Sequence, residues 1–455
     1  MKITPTSLTI TQLLSSVNEQ YVIPAYQRRY SWQDKQLWEL IDDIRLIEGA
    51  DTHLLGSIVC LTESHTAGIN KLELVDGQQR LTTVSILLQC IHDRFKIKGE
   101  EEEAQDTARL LRAKAQDASP VRKMALDSID SGEFDQLTQG TKLDRPANPN
   151  LSHAFNVFRK WVEGQKIQDL KKILYKLTNQ AIVIRLDVTQ AKDAFKLFET
   201  INNRGLRLSP VDIIKNFLLG NTARFNANAL ALARARWAEL IKHLDGANFE
   251  TFFRQFISAR LKRRITVSYV ISNFKMEFMQ QVIEAAQLPD RHWYLKEEEP
   301  IEETDDVGEI RNIRKSEPIR DANRMSFAEF MDQLVSSAKI YGQIVRGRTG
   351  NTQCDRHLRN LRMIKSVQTY GFLMQLRVKG CCDAHFHKIL QLTETLLLRR
   401  HVCRQRSNEN ETAFARLCGV DSKNPLPAVI ETYREFCPSD KRFKEEFAST
   451  SGFVA

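Results

Sequence analysis

The apolar positions change period along the chain, and the change predicts a mixed N-terminal part followed by a helical remainder. Short strands and helices alternate over residues 1–96. Leu37, Leu40, Ile41 and Ile44 recur at helical spacing and give one apolar face. Ser31 with Asp34, just ahead of them, reads as a capping box. Leu55 to Leu61 is an apolar, β-branched run of strand length, and Lys71 to Val75 is a second short strand. Leu81, Val84, Leu88, Ile91 and Phe95 then share one side of a helix.

Residues 97–150 open with four consecutive acids, Glu100 to Glu103, and hold few aromatics, so a partly helical surface insertion is expected. Phe155, Phe158 and Trp161 resume the helical period. Ala181 to Leu186 reads as a buried strand. The following helix, Ala191 to Ile201, buries Ala194, Phe195, Phe198 and Ile201. It stops at Asn202-Asn203-Arg204-Gly205, where the glycine permits positive φ. Ser209 then caps a new helix, with Pro210 at its first position and Asp212 at its third. From about residue 223 almost every periodic segment is helical, apart from a charged loop at 295–320. The fold class is therefore α+β. A small α+β domain over 1–222, carrying the 97–150 insertion, leads into a mostly α-helical domain over 223–455.

No apolar run approaches the roughly 20 residues of a bilayer span, and the N-terminus has no uninterrupted apolar stretch of a secretory signal. A cytoplasmic protein without a membrane partner is expected. The eight cysteines form no CxxC pair. They read as reduced, buried thiols, and no metal ligands are predicted. An excess of 66 Lys and Arg over 57 Asp and Glu gives a net charge of +9, which suits a polyanion partner and equally a solvated basic surface. The same two readings hold for Lys262-Arg263-Arg264, for Arg356 with Arg359 and Arg362, and for Arg399-Arg400. The phosphate loop signature GxxxxGK[ST] is missing, which argues against that class of nucleoside triphosphatase.

Three clusters carry candidate chemistry. In Leu72-Glu73-Leu74-Val75-Asp76-Gly77-Gln78-Gln79-Arg80-Leu81 a strand meets a helix through a glycine turn. A helix N-terminus offers unsatisfied N–H groups and a partial positive charge, which suit phosphate. Arg80 adds a planar cation, Asp76 a carboxylate for a metal ion or water, and Gln78 and Gln79 amides of either hydrogen-bonding sense. The simpler alternative is a corner in which Asp76 merely caps the helix. In Tyr26-Gln27-Arg28-Arg29-Tyr30-Ser31-Trp32, basic and aromatic residues interleave as they do on nucleic-acid surfaces, or else anchor a loop to the core. Asn202, Asn203 and Arg204, with Lys215 in the next helix, form a third cluster that also reads as a plain turn.

Taken in order, IPAYQRRYSW, LGSIV, LVDGQQRLTT and FETINNRGLRLSPVDIIKNFLL resemble the N-terminal domain of GmrSD-type restriction endonucleases. LLLRRHVCRQRSNENETAFARL is similar to the segment that follows in that family. The resemblance implies a ParB/sulfiredoxin-like fold and a DNA-modification-dependent defence function. It implies binding and hydrolysis of a nucleoside triphosphate, GTP or another, with Mg²⁺ as an accompanying ion. Asp76, Gln78, Gln79 and Arg80 are carried over as catalytic nucleotide-site residues. Tyr26, Gln27, Arg28 and Gly77 border the same pocket, and Asn203, Arg204 and Lys215 join it as nucleotide- or DNA-binding residues. The implied partner is DNA, modified or not. Family members usually end in an HNH nuclease domain, but no histidine follows His401 here. A separate nuclease partner is therefore expected, with a homo-oligomer left open. The runner-up reading is a non-hydrolytic, nucleotide-switched DNA-binding protein or a scaffold for that nuclease.

Overall fold

The computed structural model describes residues 3–66, 69–115, 119–127, 130–141, 143, 145–202, 209–295, 302–304, 310–312, 324–405 and 407–449. The chain divides into two compact units, Met1–Arg207 with Asn216–Ala238, and Leu208–Lys215 with Glu239–Ala455.

In the first unit the elements run β1 (Ile3–Thr9), α1 (Ile10–Leu14), β2 (Glu19–Ile23), α2 (Asp34–Arg45), β3 (His53–Thr66), β4 (Ile69–Asp76) and α3 (Gln78–Lys98). They continue through α4 (Glu101–Leu111), β5 (Arg112–Lys114), β6 (Pro120–Arg122), β7 (Met124–Leu126), α5 (Ser131–Thr138), α6 (Pro149–Glu163) and α7 (Ile167–Tyr175). Then come β8 (Ala181–Val188) and α8 (Ala191–Asn202), followed by α9 (Pro210–Phe225) and α10 (Ala227–Leu244), of which only the stretch 216–238 belongs to this unit. Six strands form one mixed sheet in the order β1-β8-β3-β4-β2-β7. The central strand β3 runs parallel to β8 and antiparallel to β4.

Strand alternation sets one face of this sheet against helices. Tyr21, Ile58, Cys60, Leu72, Leu74 and Val183 pack with Leu13 of α1, Leu40 of α2, Leu87 of α3 and Phe158 of α6 in one buried cluster. Each such fully buried side chain contributes roughly 1.5–3 kcal/mol, so this face is the main source of stability. Glu73, offset by one residue from Leu72 and Leu74, points to the other face, where Tyr26 meets Phe195 of α8 edge-on at 6.3 Å.

Three expectations are corrected. The stretch 97–150 is no surface insertion: Met124, Phe134 and Leu137 lie in the main core, and β7 pairs with β2 as the sheet's edge strand. Its acids Glu101, Glu102 and Glu103 occupy the first turn of α4, where they complement the helix dipole. A three-residue strand leaves no period to read. The cap of α2 is not Ser31 with Asp34, because the helix starts at Asp34 and Gln36 Oε1 accepts the Gln33 N–H at 3.0 Å. The first unit also runs past residue 222 to Ala238, and 208–215 groups with the second unit. The Ser209 cap is as expected, its Oγ accepting from the Asp212 N–H at 3.2 Å.

The second unit is helical in its described residues, apart from a short antiparallel pair between Glu302–Thr304 and Ile310–Asn312. The rest of the expected charged loop at 296–320 lies outside the described residues. Its long helices include Phe249–Leu261, Val270–Gln281, Phe327–Arg346, Thr352–Met363 and Asp383–Val402. Phe253, Phe274, Phe278 and Phe330 form an edge-to-face chain through its core. Several of its basic residues are held in ion pairs, and of these Arg400 is buried. Arg264 pairs with Glu411 at 2.7 Å, Arg400 with Glu409 at 2.6 Å, and Arg399 with Asp440.

Candidate functional site

β4 ends at Asp76 and α3 begins at Gln78, so a single residue turns the chain. Gly77 does so at φ +83°, in the left-handed region. A Cβ there would lie 2.4 Å from Ile58 Cγ2 on the neighbouring strand. Glycine is therefore required twice, for its backbone angle and for the close approach of β3. It also leaves the helix without a side-chain cap. The first helical bond runs from the Leu81 N–H to the Gly77 carbonyl at 3.0 Å, and the amides before it have no acceptor within the helix.

Arg80 stands one turn into α3 and reaches across to β3. Its Nη1 donates to the Ser57 carbonyl at 2.9 Å. The guanidinium lies against Gly56, where an added Cβ would be 2.8 Å from Nη2 and 2.9 Å from Cζ. Gly56 itself has φ +116° and sits where the β3–β8 register shifts, after Leu54. Burial pulls the Arg80 pKa down, and the nearby Asp76 carboxylate opposes that shift. Two motifs far apart in sequence thus interlock, Ile58 against Gly77 and Gly56-Ser57 against Arg80.

The two glutamines are placed differently. Gln78 is 7% exposed, and its Oε1 is buried with no hydrogen-bond partner. An unsatisfied buried acceptor costs roughly 1–3 kcal/mol, which a ligand or water donor would recover. Gln79 is engaged at both ends, Oε1 accepting the Ser31 N–H at 2.8 Å and Nε2 donating to the Arg29 carbonyl at 3.2 Å. It ties the Arg29–Ser31 loop to α3, assisted by the Tyr30 hydroxyl 2.7 Å from Thr83 Oγ1.

Tyr26 and Gln27 brace the end of β4. Gln27 Nε2 donates to the carbonyls of Leu74 at 3.1 Å and Val75 at 2.9 Å. The Tyr26 hydroxyl donates to Glu73 Oε1, which Arg234 Nη2 also meets at 2.8 Å. The Arg234 guanidinium lies 5.5 Å from the Tyr26 ring centre. Burial and the adjacent Glu73 carboxylate hold the Tyr26 hydroxyl well above its ordinary pKa. Arg28 is exposed and makes no side-chain bond among the described residues. Arg29 pairs with Asp130 at 2.7 Å.

The first unit therefore brings Asp76, Gly77, Gln78, Gln79 and Arg80 together with Tyr26 and Gln27 around one strand–helix corner. Lys215 belongs to the second unit, where it is 3% exposed and 3.6 Å from Asp212. Asn203 and Arg204 lie outside the described residues. Reading from sequence missed Gly56, Ser57, Glu73 and Arg234. Only Gly56 left a signal, as a glycine inside a strand pattern, which marks a bulge or a close approach.

Residues 10–219 match the family model described as the GmrSD restriction endonuclease, N-terminal domain. That stretch is a domain of this family. The name of that model speaks of a restriction endonuclease, an activity whose substrate is DNA. No curated protein is matched by the chain. Among the described residues no helix is long and apolar enough to cross a membrane, and no group of three or more His, Cys, Asp or Glu is arranged to hold a metal ion.

Proposed function

We propose that the corner at Asp76–Arg80 binds and hydrolyses a nucleoside triphosphate, GTP or another, and that this turnover regulates DNA restriction by a separate nuclease. The observation that carries the reading is the unpartnered, buried Gln78 Oε1 beside an uncapped helix N-terminus. In this reading the early amides of α3 hold phosphate oxygens, and Gln78 accepts a hydrogen bond from the attacking water or from a ligand hydroxyl. Asp76 orients that water or a Mg²⁺ ion. Water adds to the terminal phosphorus, the anhydride P–O bond breaks, and nucleoside diphosphate and phosphate leave. Arg80 supplies positive charge to the departing oxygens from its seat on Gly56. Gln79 acts as a positioning residue through the Arg29–Ser31 loop.

The test is triphosphate turnover by the full chain and by Asp76→Asn, Gln78→Ala and Arg80→Ala, with the four common triphosphates and Mg²⁺. Loss of a preorganised electrostatic contact should lower turnover about 100-fold or more. Wild-type turnover that survives all three changes would remove the assignment. One observation favours a second reading. Gln79 is engaged at both ends and Arg80 already serves a carbonyl, so the motif could bind nucleotide as a switch without hydrolysis. That reading expects a thermal shift with nucleotide and no phosphate release.

A further inference from the structure

The second half of α3 forms one wall of an open groove of about 820 Å³ in the first unit. α4, the end of α5, α6 and the β5–β6 ribbon complete it. At a rise of 1.5 Å per residue, its centre near Asp93 is about 20 Å along α3 from Arg80. Its volume falls within the range of roughly 300–1,000 Å³ usual for small-molecule sites.

Five Lys or Arg side chains line the groove, from Lys96, Arg94, Arg112, Arg122 and Arg159, with His92 beside them. Facing them are two carboxylates, Asp93 and Glu163. Arg122 is committed to Asp135 at 2.7 Å, and Arg94 Nη2 donates to the Glu163 carbonyl at 3.0 Å while its Nε is buried without a partner. Lys96 is accounted for by the C-terminal dipole of α3. Arg112 and Arg159 are not so explained. Arg159 is half-buried, its charge acts on Asp93 and Cys90 at the floor, and it makes no ion pair or side-chain hydrogen bond among the described residues. A half-buried guanidinium without a direct ion-pair partner is costly, and a ligand anion would relieve that cost. The floor between these cations is apolar, through Cys90, Leu111, Val121 and Val162, and no Phe, Tyr or Trp is in the lining. The lining offers a base no aromatic face beyond the His92 imidazole, so charge rather than stacking leads recognition.

We propose that this groove is a second ligand site, for a phosphorylated ligand of nucleotide size, with its phosphates on Arg112 and Arg159 and its body on the apolar floor. The chemistry is shared by a free nucleotide and by a nucleotide unit within a DNA strand. The site stands independently of the reading of the α3 N-terminus.

Calorimetric titration of the full chain tests it, with GTP, inorganic tripolyphosphate and a short single-stranded oligonucleotide as separate probes. Arg112→Glu, at an exposed position, should weaken at least one probe about tenfold or more, and Arg159→Gln should do the same. Arg80→Ala should leave that binding in place. GTP binding alone marks a free nucleotide, oligonucleotide binding alone marks a strand, and either supports the site. Binding of every probe that is unchanged in both groove variants overturns the proposal. So does binding abolished by Arg80→Ala alone, which would assign the ligand to the other corner. Failure of all probes to bind the wild type overturns it equally.

Discussion

The contact between Gly56 and Arg80 is open to a direct energetic test. In Gly56→Ala the new Cβ would sit 2.8 Å from Arg80 Nη2, against an ordinary contact of roughly 3.5–4 Å, so the guanidinium must move. Moving it breaks the 2.9 Å bond to the Ser57 carbonyl, a charged hydrogen bond of about 1.5–3 kcal/mol. The alanine must also adopt φ +116°, a strain of roughly 1–3 kcal/mol. Gly56→Ala should therefore destabilise the first unit by about 2.5–6 kcal/mol. In an Arg80→Ala background the steric part vanishes, and the same change should cost only the backbone strain. Urea unfolding followed by tryptophan fluorescence suits the measurement, because Trp32, Trp38, Trp161 and Trp237 lie in the first unit and only Trp293 in the second. Equal costs in the two backgrounds, within about 0.5 kcal/mol, would show that the guanidinium does not occupy the space over Gly56.

Three further outcomes follow from the same geometry. Gln79→Ala removes both anchors of the Arg29–Ser31 loop, so amide exchange at Ser31 should accelerate and stability fall by about 1–3 kcal/mol; unchanged exchange at Ser31 would refute the anchoring role. Tyr26→Phe deletes a donor to Glu73 and should cost roughly 1–3 kcal/mol in unfolding free energy, with the loss absent if Glu73 is satisfied by Arg234 alone. Lys123 is buried against the carbonyls of Ser16 and Glu19, and burial lowers its pKa from 10.5 to about 8. Between those values the unfolded chain binds more protons than the folded one, so this group makes stability rise with pH across that window. Lys123→Gln should flatten that rise in unfolding measured from pH 8 to 10.5, and an identical pH slope in variant and wild type would contradict it.

The corner itself was legible in the sequence, because a glycine between a short apolar strand and a 3.6-residue period leaves few geometries. The use of each side chain there was not. Gln78 and Gln79 are adjacent and alike, yet one is left without a partner and the other is engaged at both ends, a difference set by Arg29 and Ser31 some fifty residues earlier. Ser31 looked like a helix cap for the same reason: its partner is Gln79, not its own helix. The core role of 97–150 was hidden because its contribution to the sheet is three residues long and its opening acids mimic a solvated loop. Helices with sustained period, such as Ala191–Asn202, were read nearly to the residue.

The salt link from Arg234 to Glu73 bears on how the protein can be cut. The family match closes at residue 219, so a fragment trimmed to that limit would lack Arg234. It would take from the part-buried Glu73 carboxylate the guanidinium that pairs with it, while the Tyr26 hydroxyl stays in place. A fragment meant to fold as the first unit should run through Ala238, and one stopped before Arg234 gives up that ion pair.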